Sequence, residues 1–242
     1  MKVDLTHSFE DLVQTYRVLI EAFLSCQQLI SVDRYEAVGT LETAINANLN
    51  AFHNLYDLMK KSSGNSVNWY SEPQLLVILA IRNARHHNHA NRIRSLCNFH
   101  AQTCKNPTDQ KAYFYVDFPA NPDEVGGDFM DIPLSWGDLD CLLSLPKAQS
   151  RLRAEAKGIV REYLNADYFE AEAENCNIDR GSVFVNFLPL VANAAIFLHP
   201  HIKDQVTLNS VEAKFFSGYF GSVGPALTRQ HEYENLEFSL PQ

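Results

Sequence analysis

A chain of 242 residues, 46% apolar and 20% charged, has the composition of an ordinary globular protein and is long enough to bury a substantial core. Its formal net charge of −9 argues against non-specific nucleic-acid binding unless the sign reverses locally. Five cysteines, at 26, 97, 104, 141 and 176, form no Cys-x-x-Cys and leave at least one thiol unpaired in any intramolecular scheme, which points to a reducing compartment.

Met1-Lys2-Val3-Asp4 lacks the apolar core of a signal peptide and leads into an amphipathic pattern, so a cytoplasmic protein is expected. Over 7–30, Phe9, Leu12, Val13, Tyr16, Leu19, Ile20 and Phe23 recur at helical spacing. A second helix over 33–60 runs through Tyr35, Val38, Leu41, Ile45, Leu49, Phe52, Leu55 and Met59, and ends in Lys60-Lys61, favourable at the negative end of the helix dipole. After a loop over 62–70, Ser71-Glu72-Pro73-Gln74 reads as a capping box with Ser71 as N-cap. The third helix is expected to run on to about 103, closed by Asn106-Pro107.

The texture then changes. Lys111 to Phe118, rich in aromatics, reads as a strand. A Pro- and Gly-rich loop over 119–134 follows, and then a second cap, Ser135-Trp136-Gly137-Asp138, which opens a short helix through Leu145. A helix over 148–175 with an acidic second half comes next. Val183 to Leu198 carries Asn186, Pro189 and Asn193 and reads as a buried helix kinked at Pro189, not a membrane span. The tail is expected to hold a short strand or hairpin around 206–217. The fold class is therefore mostly α, an antiparallel helical bundle with a minor β component in the second half.

The densest chemistry lies in Arg82-Asn83-Ala84-Arg85-His86-His87-Asn88-His89, directly after the aliphatic run Leu75 to Ile81. From Pro73 to Thr108 there is no Asp or Glu, while Arg82, Arg85, Arg92, Arg94 and Lys105 fall inside the window with four histidines. Such a reversal of sign in an acidic chain suits a phosphate-bearing ligand. At roughly 100° per residue, Leu75, Ile78, Leu79, Arg82, His86 and His89 share one helix face. Arg82 then sits within an apolar stripe, where a charge must be paired or line a cavity or interface.

Arg82-Asn83-Ala84-Arg85-His86-His87 resembles the R-N-x-x-x-H signature of the HEPN superfamily (higher eukaryotes and prokaryotes nucleotide-binding domains). The looser form, an Arg and then a His after four to six residues, is met by both His87 and His89. The resemblance covers residues 1–108 as a HEPN-like bundle. Residues 109–242 lie outside it and are expected as a C-terminal helical extension with short strands, packed on the bundle as one unit. The resemblance implies a metal-independent endoribonuclease without a cofactor, commonly a homodimer, of the kind found in toxin–antitoxin or antiviral systems. Its partners would be RNA, a second copy of the chain and a cognate antitoxin protein, with no membrane. Catalysis would rest on Arg82, His87 and Asn83, and substrate contact on Arg85, His86, His89 and Arg92.

The chemistry fits that implication. An imidazole titrates near neutral pH and can take the proton of an RNA 2′-OH. A guanidinium offers a permanent fork of donors to a phosphorane. Arg82 and His87 are five positions apart and project roughly 140° from each other on an ideal helix, so two copies meeting about a two-fold axis would best aim both at one phosphate. Two rival readings stand beside this one. Cys97, His100 and Cys104 share a helix face and are soft ligands, but supply no evident fourth partner for zinc. Alternatively, the chain is a non-catalytic HEPN-like module that binds a nucleotide or protein partner, and its acidic 167–179 segment is a solvated face or an internal counterpart. Trp69-Tyr70 and Trp136 read as loop anchors rather than base-stacking platforms.

Overall fold

The computed structural model describes residues 4–61, 67–87, 93–120 and 130–241; within that range the side chains of His86 and His87 are not described. Helices α1 (Thr6–Leu29) and α2 (Arg34–Lys61) form an antiparallel hairpin whose apolar stripes face each other, and Asn48 donates across it to Thr15 at 3.1 Å. Helix α3 (Pro73–His87) returns along α2. Its first intrahelical bond, from Leu76 N–H, is accepted by Glu72 at 2.8 Å. Glu72 is therefore the residue at the N-cap, with Pro73 at the first helical position, where its missing N–H leaves nothing unpaired. Ser71 does not cap the helix; its hydroxyl donates to Asn68 O at 2.9 Å.

The third helix is not continuous to 103. Ser95 is extended, with φ −65° and ψ 159°, and its hydroxyl accepts from Asn98 N–H to open a separate helix, α4 (Leu96–Thr103). Strand β1 (Lys111–Asp117) follows, then β2 (Pro133–Ser135). Ser135 caps α5 (Trp136–Leu143) through Asp138 N–H, as the sequence anticipates. The expected helix over 148–175 is three pieces: α6 (Lys147–Ser150), α7 (Ala156–Tyr163) and α8 (Ala166–Asn175). Arg151 and Asn165, at φ 58° and 48°, break it by entering the left-handed region.

The apolar run at Val183 is also divided. Val183–Asn186 is a fully buried strand, β3, and only from Phe187 does α9 (Phe187–Ile202) begin. Pro189 is the third residue of α9, where its lack of an N–H leaves no intrahelical acceptor unmet, so it opens the helix instead of kinking it. The expected hairpin at 206–217 is instead mostly helix α10 (Val211–Ser222), capped by Ser210 and tied to α1 through the Glu10 carboxylate. The tail's strand, β4 (Glu232–Phe238), comes later.

The four strands form one sheet in the order β2-β3-β1-β4. β3 pairs parallel to β1, and β4 and β2 pair antiparallel on the two sides. A single apolar core runs from Leu5 to Phe220 and includes one side of the sheet, with Tyr16 of α1 donating to Val191 O of α9 at 2.6 Å. A smaller cluster on the other side joins Phe99 of α4 to Tyr113, Tyr115 and Phe184. Among the described residues no helix is long and apolar enough to cross a membrane.

Candidate functional site

Helix α3 is the centre of the molecule. Leu75 to Ile81 are buried all round, against α2 on one side and α5, α6, α7 and α9 on the others. A helix apolar on every face belongs in the interior, so the single stripe expected from helical periodicity is only part of the buried surface. The last turn and a half of this helix, Arg82 to His87, carries the motif.

Arg82 is half-buried. Burial lowers its pKa, opposed by the attraction of Asp57 on α2; a guanidinium so placed stays charged at any ordinary pH. Asp57 also lies 3.8 Å from His53 Nε2, one helical turn earlier on α2. Asn83 is buried. His86 and His87 continue the regular helix, which therefore retains the wide angular separation of Arg82 from His87. His89 and Arg92 lie outside the described residues.

Arg85 faces inward, with its side chain only 2% exposed. Its Nε donates to Asn46 Oδ1 at 2.7 Å and one terminal nitrogen to Ile93 O at 2.8 Å. The other forms an ion pair with Glu42 Oε2 and also meets Glu42 O at 3.3 Å. Glu42 Oε1 in turn accepts from Ser95 N–H and Ser95 Oγ–H, at 3.1 and 2.6 Å. This network joins α2, the end of α3 and the segment by which the chain returns after the motif. Burial alone would raise the Glu42 pKa, but the guanidinium and the Ser95 hydrogen bonds outweigh it and hold the carboxyl below its ordinary value. The phosphate contact expected of Arg85 is replaced by a structural bond to Glu42.

The positive window is therefore less positive in three dimensions than along the chain. Arg94 pairs with Asp138 at the start of α5, at 2.7 Å, and lies over the Phe99 ring. His100 is fully buried, its ring nitrogens within 2.8 Å of Tyr113 OH and of Pro107 O. Cys104 Sγ is 3.6 Å from the same ring, while Cys97 turns instead toward Cys26 of α1. Among the described residues no group of three His, Cys, Asp or Glu is placed to hold a metal ion. The acidic α8 is in part an internal counterpart: Glu170 is buried and accepts from Trp136 Nε1 at 2.7 Å, from Arg161 and from Arg180.

Glu42, Asn46 and Asp57 were not singled out from the sequence. The one available signal is that Glu42 and Asn46, four apart, each follow an apolar core position of α2, Leu41 and Ile45. With the geometry in place, no family model, curated protein or solved structure matches the chain.

Proposed function

We propose that the protein is a metal-independent endoribonuclease of the HEPN type, active as a homodimer and suited to a toxin–antitoxin or antiviral role. The observation that carries this reading is the place of the motif: Arg82, Asn83 and His87 stand where the buried central helix ends. Groups built on a rigid element hold reacting geometry better than groups on loops. His87 takes the proton from the 2′-OH, and the 2′-oxygen attacks the adjacent phosphorus. The P–O5′ bond breaks and the 5′-oxygen leaves with a proton, giving a cyclic phosphate and a 5′-hydroxyl end. Arg82 from the partner copy stabilises the charge that develops on the phosphorane. Asn83 orients the site, and His86, His89 and Arg92 contact neighbouring phosphates. Arg85 acts here as a positioning residue that keeps the end of α3 in place through Glu42.

Incubation of the purified protein with mixed RNA and sequence-matched DNA, with and without EDTA, tests the proposal. Cleavage of RNA alone, undiminished by chelator, is the expected result. Cleavage abolished by EDTA, or of DNA as well, overturns the mechanism. RNA binding without cleavage selects the non-catalytic binding module.

A further inference from the structure

A polar cavity lies where α2 ends, before the start of α3. Its volume is about 320 Å³, and its walls come from the last turns of α2, the segment 67–70 and the link between α6 and α7. Three of those walls are aromatic. The Tyr56 and Trp69 rings lie 5.1 Å apart, centroid to centroid, and Tyr70 meets Tyr56 edge-on at 6.4 Å. Two walls are cationic. The Arg153 guanidinium lies 4.9 Å from the centre of the Tyr70 ring, and Lys60 reaches the same rim. Both cations bear electrostatically on the Tyr70 hydroxyl, whose pKa is raised first by burial and then by Tyr56, against their pull. No acidic side chain is among the described residues lining the cavity, in a chain whose net charge is −9.

Trp69 forms the most deeply buried of the aromatic walls. It is 1% exposed, and among the described residues its Nε1–H has no hydrogen-bond partner. A buried donor left without an acceptor is destabilising. With that nitrogen closed off from accessible space, the indole meets the cavity as an apolar wall packed against Tyr56.

We propose that this cavity binds one nucleotide. The base lies against the Tyr56 and Tyr70 rings, where any base presents a π-face. The phosphate sits at Lys60 and Arg153. The volume is at the lower end of small-molecule sites and suits a ligand of this size. The nucleotide is either a free nucleoside monophosphate or one unit of an RNA single strand. In the second case the cavity holds a residue a few nucleotides from the motif, since along α3 its start lies roughly 14 Å from Arg82 and roughly 21 Å from His87. The site does not depend on the chain being a nuclease.

The test is calorimetric titration of the full chain with the four ribonucleoside monophosphates, with inorganic phosphate, and with a 2′-O-methyl hexanucleotide that cannot be cleaved through its 2′-oxygen. The variants are Lys60→Ala and Arg153→Ala, both exposed and separate from the core, with His87→Ala as control and circular dichroism as the check on folding. The proposal expects nucleotide or oligonucleotide affinity to fall at least tenfold in each cavity variant, and monophosphate affinity to be unchanged in His87→Ala. Monophosphate binding as tight as that of the hexanucleotide identifies a free ligand; hexanucleotide binding alone identifies a strand. Phosphate bound as tightly as the nucleotides removes the base from the site and overturns the proposal. So does the absence of any heat up to about 10 mM monophosphate and oligonucleotide, or binding that both cavity variants leave intact. Loss of RNA cleavage in His87→Ala with this binding preserved separates failure of one site from failure of the other.

Discussion

Replacement of His87 or Arg82 by alanine lowers the rate of RNA cleavage at least roughly a hundredfold, the scale expected on losing a general base or a clamp on a developing anion. The two losses differ in kind. The buried run Leu75–Ile81 lies more than a turn before His87, so His87→Ala leaves that run unchanged and is expected to fold as the parent does. Arg82 is half-buried near Asp57, and Arg82→Ala removes packing and charge together, so a lower melting temperature accompanies its loss of activity. Arg82→Lys separates these effects: a lysine retains the charge but not the planar fork, and recovers stability more than rate. Single-turnover kinetics on a defined RNA and thermal melts of the same samples read both quantities. Because the two side chains diverge on one helix, co-refolded Arg82→Ala and His87→Ala chains are expected to recover part of the parental rate, each mixed dimer retaining one intact pair. Parental activity in both single variants removes the assignment. Activity in His87→Ala together with its loss in His89→Ala moves the base two residues on.

Arg85→Ala is expected to destabilise the fold by about 3–5 kcal/mol, since it strands the Glu42 carboxylate beside the core with its guanidinium gone. For a chain of this size each kcal/mol moves the midpoint by about 2–4 °C, so the melting temperature falls by roughly 6–20 °C. Arg85→Lys does not restore it: one ammonium cannot reach Asn46, Ile93 O and Glu42 together. The same network sets an acid limit. The folded-state pKa of Glu42 is depressed, so its stabilisation is fully present above the unfolded value of about 4.3 and is lost as pH falls through the lower folded value. From neutrality down to about pH 5 this group contributes no change. Glu42→Gln is expected to be less stable at neutral pH but to lose less between pH 5 and pH 3 than the parent, as read by denaturant melts across that range. Parallel curves for the two proteins would show that Glu42 is not the titrating group.

The elements most legible in the sequence were those whose pattern is local. The two long amphipathic helices, the aromatic strand β1 and the Ser135 cap each carry their own signal within a few residues. Some readings failed on a local cap or a left-handed residue, as at Ser71, Ser95, Arg151 and Asn165, and others on partners elsewhere. Val183-Phe184-Val185 is a strand because β1 and β2 flank it, and an apolar run three residues long has no period with which to say so. A single helix does not reach 103 because Ser95 opens a new one, a signal masked by the apolar spacing that carries the pattern through Ile93 and Leu96. The charge of the window 73–108 was counted correctly, but Glu42 and Asp138, which neutralise Arg85 and Arg94, lie outside it. The Arg82–His87 run is legible in the sequence because it is contiguous. The cavity beside Trp69 is not, because Arg153 is brought to it from far along the chain.

The strand order also bears on how the chain reaches its native state during synthesis. β1 is flanked by β3, made some seventy residues later, and by β4, later still. Until residue 183 emerges, β1 has neither neighbour, and Phe114 and Val116 lack the strands that complete their side of the core. Pairing across such separations is slow because a long loop must close before any contact forms. The α1–α2 hairpin, by contrast, is complete by residue 61 and can assemble at once. An early helical hairpin followed by a long wait for the sheet leaves apolar α3 and β1 surfaces open to the surrounding solution, and makes the nascent chain a natural client for a chaperone that holds exposed aliphatic segments.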